Sequence, residues 1–293
     1  ERRDIEQEHI LHVAGQHATL NRRAHGHDLV RVDALVRRLP SVEALGSATV
    51  VCTDKTGTLT AGEMTVTRVW AGGREHAVTG AGYGPGGEIV DGEAPARVRE
   101  GGPLHAVLRI GVLAGRAEVE ALGDGWRVHG DPTEAALVVL ARKAGMDRAS
   151  LLRDAPEVGE VPFTSERMWM ATFHRAPSGE VEALAKGAPA VILARCTRLL
   201  TEDGVVPLDE ERRRAALAWN EAAAGEGLRV LALAYAPAVD AAREAEVDAL
   251  VLAGLVGMMD PPAAGVPGTI ASLRKQDTGL NRDYLILEQV LKG

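Results

Sequence analysis

The apolar run Ala48-Thr49-Val50-Val51-Cys52-Thr53 passes straight into Asp54-Lys55-Thr56-Gly57-Thr58-Leu59-Thr60, and no other stretch constrains the fold as much. The run predicts a strand buried on both faces. A carboxylate at the carboxyl end of such a strand lies where open α/β sheets present reactive groups. Gly57 lets the backbone turn sharply away, and threonine hydroxyls stand close by. The bland alternative is a strand-to-loop turn ending in a solvated acid. The sharper one is a nucleophile: a carboxylate is a usable nucleophile for phosphate, and the charge on both partners calls for Mg2+ to suppress their repulsion.

The 293 residues allow two domains or one large one, and a hydrophobic content of 46% supplies a sizeable core. A net charge of -8 argues against nucleic acid as the main partner, since a backbone binder needs a basic face. Cys52 falls in the expected buried strand, so no disulfide partner is expected for it or for Cys196, and a reducing compartment fits better. No run approaches the roughly 18 consecutive apolar residues of a membrane span. Ala249 to Met259 and Val230 to Val239 are short and read as buried strands. The expectation is a soluble polypeptide.

Along the chain, residues 1–32 form a polar extension rich in histidine. His9 and His12 could share a helix face and bind a divalent metal, but no Cys or acid at ligand spacing closes such a site. Residues 33–62 hold a helix and the Asp54 strand. Residues 63–255 change to short strands, Gly-rich turns and helices, and a further apolar strand runs from Val256 towards Asp260-Pro261-Pro262. This is the pattern of a chain that leaves one domain, builds a large insert and returns at 256–280, with residues 281–293 as a divergent tail. Asp131 predicts a helix N-cap, Pro132 suits the first helical position and Glu134 completes a capping box, with Ala135 to Lys143 helical and Gly145 closing it. Glu210 to Ala224 predicts a second helix with Gly225 after it, and Val181 to Leu184 and Arg229 to Tyr235 predict strands. Gly82, Gly84 and Gly87 fit G-x-G-x-x-G, but Pro85 interrupts the loop and a strand-like Glu88-Ile89-Val90 follows, so no dinucleotide site is expected.

At Asp54-Lys55-Thr56-Gly57-Thr58-Leu59-Thr60 the chain resembles the P-type cation-transporting ATPases, calcium-type subgroup, a branch of the haloacid-dehalogenase superfamily. The likeness continues in order through Leu35–Gly46, Val78–Gly87, Gly130-Asp131-Pro132-Thr133-Glu134, Pro162-Phe163-Thr164-Ser165-Glu166-Arg167, Lys186-Gly187-Ala188-Pro189, Gly227-Leu228-Arg229 and Asp260-Pro261-Pro262. Each later motif is weak alone; their shared order is strong.

The resemblance implies an α/β fold in two parts. An incomplete Rossmann-like, haloacid-dehalogenase-type phosphorylation domain is expected from residues 33–62 and 256–280. A nucleotide-binding domain, an antiparallel sheet flanked by helices, is expected over 63–255. It also implies catalytic residues Asp54, Lys55 and Thr56, with Mg2+ on Asp54 and Thr56. ATP would contact Glu134, Phe163, Arg167, Lys186 and Arg229. An aromatic ring stacks on adenine, an acid accepts from its amine, and cations lie against the ring and phosphates. Glu134 would then be both cap and ligand. Taken singly, each of these is more simply a core aromatic, a helix cap or a surface charge.

Met168 and Trp169 depart from the family's basic residues there, which implies weaker ATP binding, with Trp169 offering stacking surface in exchange. Ala263 replaces the arginine that usually follows the hinge. The Thr-Gly-Asp turn and Gly-Asp-Gly loop expected after the hinge do not occur, and residues 264–293 do not resemble the expected text. The expectation is a truncated or rearranged chain, catalytically incomplete alone, that binds ATP and forms little phosphoenzyme. In complete homologues the partner is a transmembrane ion-transport domain, and this part lies at the cytoplasmic face of the membrane. The alternatives are an ATP-binding module without turnover and a soluble phosphatase of the same superfamily; the large insert argues against the phosphatase.

Overall fold

The computed structural model describes residues 58–123, 125–263 and 265–276, with side chains as far as Ala271. The expected Asp54 strand, the residues Asp54, Lys55 and Thr56, the His-rich extension and the tail lie outside the described residues. The chain crosses into the described lobe through Leu59–Glu63 and out through Asp260–Ala263, and the two crossings lie side by side. Thr60 and Pro262 form an antiparallel bridge, Ala61 N–H donates to Pro261 O at 2.8 Å, and Ala263 N–H donates to Leu59 O at 2.9 Å.

Between the crossings runs one large sheet. β1 (Thr65–Ala71) and β2 (Arg74–Val78) form a hairpin continued by β3 (Ile89–Asp91) and β4 (Ala94–Pro95). Helix α1 (Pro103–Leu113), the ribbon β5 (Glu118–Leu122) and β6 (Gly125–His129), and helices α2 (Pro132–Lys143) and α3 (Arg148–Asp154) follow. Then come β7 (Glu157–Val161), β8 (Trp169–Arg175), β9 (Val181–Gly187), α4 (Pro189–Arg195), β10 (Cys196–Thr201), β11 (Gly204–Pro207), α5 (Glu210–Gly225), β12 (Arg229–Ala236), β13 (Leu250–Met259) and α6 (Val266–Gln276). The strand order is β4-β3-β2-β1-β13-β12-β9-β8-β7. β10 joins parallel to β13, and every other strand pairing among the described residues is antiparallel.

β13 is the spine. Leu250, Val251, Leu252, Ala253, Leu255, Val256 and Met258 are fully buried, so both faces of the strand carry core. That is why its sequence is apolar throughout and not alternating. Each buried Leu or Val contributes about 1.5–3 kcal/mol before entropy is counted. The strand expected from Val256 onward is therefore the second half of one continuous element. Gly254 is required by close approach: a Cβ there would run into Trp70 O and lie 2.7 Å from Val107 Cγ2.

The two faces are covered separately. α1, α2 and α3 pack on one through Val107, Leu108, Leu137, Leu140, Leu184 and Leu233. α4 and α5 pack on the other through Trp169, Phe173, Ile192, Leu193, Ala216 and Trp219. α1 and α2 meet closely at Gly111, where a Cβ would touch Leu137 and Leu233.

The expected helices form with small changes at their ends. α2 starts on Asp131, whose side chain accepts from Thr133 N–H and Glu134 N–H, with Pro132 at the first helical position. α5 runs one residue further than expected, through Gly225, and ends at Gly227 (φ 81°) instead. There Leu228 N–H bonds Ala223 O and Gly227 N–H bonds Ala224 O, the paired bonds of a Schellman motif. The Gly82–Gly87 segment is a loop leading into β3, as Pro85 indicated.

Candidate functional site

Four segments converge on one end of the sheet. β7 ends at Val161 opposite Ala171, β8 begins at Trp169 opposite Gly187, and Gly187 ends β9 opposite Ala232. Arg229 begins β12 opposite Met258, and Met258 lies two positions from the outgoing crossing. Phe163 and Arg167 sit in the loop joining β7 to β8, Lys186 near the end of β9, and Arg229 at the start of β12. Arg229, Leu231 and Leu233 share one face of β12, and Leu233 pairs with Lys186, so Arg229 and Lys186 occupy the same sheet face. On a strand rise of about 3.4 Å they lie about 14 Å apart along it.

Glu134 is brought to Lys186 from the first turn of α2. Lys186 Nζ donates to Glu134 Oε1 at 2.9 Å, and Lys186 is 6% exposed. Burial pushes the Lys186 ammonium down against the pull of Glu134. Burial would raise the Glu134 carboxyl, but the lysine charge and hydrogen bond, with backbone donors, hold it below its ordinary value. The second oxygen, Oε2, accepts from Arg116 N–H at 2.7 Å and Ala117 N–H at 3.1 Å. Glu134 therefore does not close a capping box with Asp131; three donors elsewhere draw it away. The ammonium has three N–H donors, and among the described residues Glu134 is its one hydrogen-bond acceptor.

Phe163 is 55% exposed, a free aromatic face on the loop. Arg167 is turned to Glu244: Nε and one terminal nitrogen bond its two carboxylate oxygens at 3.1 and 2.9 Å, while the other terminal nitrogen donates to Pro162 O at 2.8 Å. Its guanidinium also lies 5.6 Å from the Trp169 ring centre, and Arg195 stands 4.7 Å from the same ring. Trp169 is 1% exposed and belongs to the core with Ala171 and Phe173. The expectation of stacking surface from Trp169 is thus corrected: alternation along β8 sends it inward. Met168 is 45% exposed with φ 59°, a left-handed turn that ends the loop; its carbonyl accepts from Ala188 N–H at 2.9 Å.

Sequence reasoning missed the wall of this site. Gly115 follows α1, and a Cβ on it would lie 2.9 Å from both Lys186 Nζ and Glu134 Cδ. Its carbonyl accepts from an Arg148 terminal nitrogen at 2.7 Å. No motif marks these residues; the one available signal was a lone glycine after an apolar helix. For metals, no group of three or more His, Cys, Asp or Glu able to hold an ion occurs among the described residues.

A large antiparallel sheet with helices on both faces, two adjacent chain crossings and a buried lysine paired with a glutamate define an α/β lobe. A family model described as "P-type ATPase, cytoplasmic domain N" matches residues 103–265, and the chain belongs to the P-type cation-transporting ATPases. It is 40% identical over 264 residues to the cation-transporting ATPase pma1 of Synechocystis sp., covering 86% of this chain and 28% of that protein. It is 35% identical over 251 residues to a calcium-transporting ATPase of Bacillus subtilis (84% and 28%). It is 39% identical over 250 residues to the human calcium-transporting ATPase type 2C member 1 (84% and 26%).

The chain thus spans just over a quarter of the length of these relatives. A stretch covering 86% of 293 residues necessarily includes about residues 42–252, and so the positions of Asp54, Glu134, Phe163, Arg167, Lys186 and Arg229. A second family model, NAD-specific glutamate dehydrogenase, matches residues 1–67; it overlaps that stretch and adds no residue of the site just described. Among the described residues, no helix is long and apolar enough to cross a membrane.

Proposed function

We propose that this lobe binds ATP and presents it to Asp54, as the nucleotide-binding part of a calcium-type P-type ATPase. The observation that carries the reading is Lys186, an almost fully buried ammonium whose one acceptor among the described residues is Glu134. A buried cation with one acceptor is costly unless a ligand completes its shell. An anionic, acceptor-rich ligand does so.

In this reading Phe163 stacks on the adenine and Glu134, three of whose roughly four acceptor positions are taken, accepts from its amine at the remaining one. Lys186, Arg167 and Arg229 face the sugar and phosphates. A carboxylate oxygen of Asp54 attacks the γ-phosphorus, the bond to the β,γ-bridging oxygen breaks, and ADP leaves with the electron pair. Lys55 and Thr56 follow the nucleophile, and Thr56 positions the phosphate. Mg2+, held by Asp54 and Thr56 when bound, offsets the charge on both partners. We assign residues 33–62 and 256–280 to a Rossmann-like, haloacid-dehalogenase-type phosphorylation domain and 63–255 to the nucleotide-binding domain. In complete relatives the phosphoenzyme is coupled to cation transport by a transmembrane partner, with this lobe on the cytoplasmic face.

ATP titration followed by tryptophan fluorescence tests binding. A saturable signal at millimolar ATP or below, lost in Lys186→Met, is expected; no saturation in the unaltered chain overturns the reading. Labelled ATP with Mg2+ tests the transfer. Any label must be hydroxylamine-labile and vanish in Asp54→Asn; label that survives that change removes Asp54 from its role.

A further inference from the structure

The segment Gly115-Arg116-Ala117 touches the Glu134–Lys186 pair, and nothing in its sequence advertises a role. Its geometry is specific at each residue. Gly115 has an ordinary backbone conformation, so it is not glycine for the sake of a turn. It is glycine because a Cβ would stand 2.9 Å from the Lys186 ammonium and 3.0 Å from Glu134 Oε2. Arg116 and Ala117 spend their backbone donors on Glu134 Oε2. From behind, Arg148 grips the Gly115 carbonyl at 2.7 Å.

Arg148 is itself oddly placed. It opens α3, where the helix dipole disfavours a cation. Its Nε is buried without a hydrogen-bond partner. Its charge also acts on Lys186, alongside those of Glu134 and Asp131. A residue kept where its own solvation and the helix dipole oppose it is held by what it contacts.

The contacts also settle a competition at α2. An acid three residues after an N-cap ordinarily turns back to the cap's N–H. Here Asp131 already serves two N–H groups of the first turn, and the loop's two donors pull Glu134 outward to meet Lys186. Without the loop, Glu134 would be free to return to its own helix and leave Lys186 buried without a counter-charge.

Resting on the ATP reading above, we infer that Gly115 and Arg148 are positioning residues of the nucleotide site: Arg148 anchors the 115–117 loop, and the side-chain-free Gly115 lets that loop hold Glu134 and Lys186 together in the geometry ATP meets. The class of ligand is unchanged. The new assignment is the wall that sets the two ligand-facing charges.

The test uses the whole chain with Gly115→Ala, Arg148→Met and Arg148→Lys. Each is measured by ATP titration and, without nucleotide, by the pH midpoint of Lys186 acylation read by peptide mass spectrometry. Expected are an ATP dissociation constant raised about tenfold in Gly115→Ala and Arg148→Met, as for lost support of a ligand-contacting group, and partial recovery in Arg148→Lys. The Lys186 midpoint should fall by about half a pH unit or more in the first two, as Glu134 is released. A merely structural role would lower the melting temperature without lowering that midpoint, since loss of the Arg148 charge by itself would raise it. If Gly115→Ala unfolds, Arg148→Met decides. Wild-type affinity or a midpoint that does not fall in Arg148→Met overturns the inference. Absence of ATP binding by the unaltered chain would refute the ATP reading instead, and the midpoint alone would then judge the positioning.

Discussion

The Thr60 hydroxyl donates to Asp260 Oδ2 at 2.6 Å, joining two crossings that are 200 residues apart in sequence. The other oxygen, Oδ1, accepts from Glu63 N–H at 3.1 Å. One carboxylate thus bridges the incoming and outgoing strands at the place where the lobe leaves the rest of the chain. Around it, Thr65 Oγ1 bonds Glu63 O and receives Gly82 N–H, and the Tyr83 hydroxyl reaches Gly62 O. The Thr79–Glu88 loop therefore braces the incoming strand, and Lys143 at the end of α2 donates to the Thr79 and Gly80 carbonyls.

Removing the bridge should loosen both crossings at once. Hydrogen bonds to a charged group are worth about 1.5–3 kcal/mol each, and the crossing is only partly buried, so Asp260→Ala should cost about 2 kcal/mol. For a lobe of this size that lowers the melting temperature by about 4–8 °C. Asp260→Asn keeps the shape and one acceptor and should lose less. Equal melting temperatures for Asp260→Ala and the unaltered chain would show that the bridge carries no stability.

A buried histidine makes the fold sensitive to mild acid. His174 is fully buried, with Nδ1 3.0 Å from Ala155 O and Nε2 2.9 Å from Thr172 Oγ1. Burial pushes its pKa below the ordinary 6.5, against opposing help from the Ala155 carbonyl, Glu182 and Glu157 and with a small push from Arg109. The unfolded chain therefore binds the proton first. Stability should fall as pH drops through 6.5 and level off below the folded value, by at most about 1.4 kcal/mol per pH unit. His76 and His105 shift in the same direction, also chiefly through burial. His174→Gln should flatten the urea midpoint between pH 7 and 5; an unchanged slope would remove His174 from the account.

The sequence was most readable where one residue type has one physical job. Asp131-Pro132 opens a helix, and the β13 text is apolar because both faces are covered; Gly225, read as the end of α5, is instead its last residue, and Gly227 takes the left-handed turn. What stayed hidden depends on tertiary contact. Trp169 reads as an exposed replacement for a basic residue until β8 is seen to alternate Trp169, Ala171 and Phe173 into one core. Glu134 reads as half of a capping box because the competing donors, Arg116 and Ala117, arrive from another element. Arg167 reads as a ligand cation because its partner Glu244 lies 77 residues away. The parallel pairing of β10 with β13 leaves no local mark at all.

Gly187 is fixed by contact, not by conformation. A Cβ there would stand 2.5 Å from both Met168 O and Trp169 Cβ. Those atoms belong to the β8 end that shapes the Phe163 loop, and neither can yield without moving a strand. Gly187→Ala should cost about 1–3 kcal/mol as overpacking and should weaken ATP binding, because the displaced strand carries Lys186 at the adjacent position. Chemical denaturation and ATP titration on the same variant check both; unchanged values would mean that the two strands slide apart freely.

Arg167 is pre-engaged, and this sets the direction of its response. Its side chain is a quarter exposed and that of Glu244 half exposed, so their bidentate pair is worth no more than about 1 kcal/mol. A nucleotide phosphate is a stronger acceptor for the same fork. If Arg167 serves ATP, it must leave Glu244 to do so, and Glu244→Gln should tighten ATP binding by a factor of up to about 5 with little change in stability. Arg167→Ala should weaken binding, and the double variant should match Arg167→Ala alone, since the carboxylate matters only through the arginine it holds. Raising the salt concentration should shrink the Glu244→Gln gain, because an exposed pair is screened. ATP titrations of the three variants at two salt concentrations decide it: weaker binding in Glu244→Gln would place Glu244, not Arg167, in contact with the ligand.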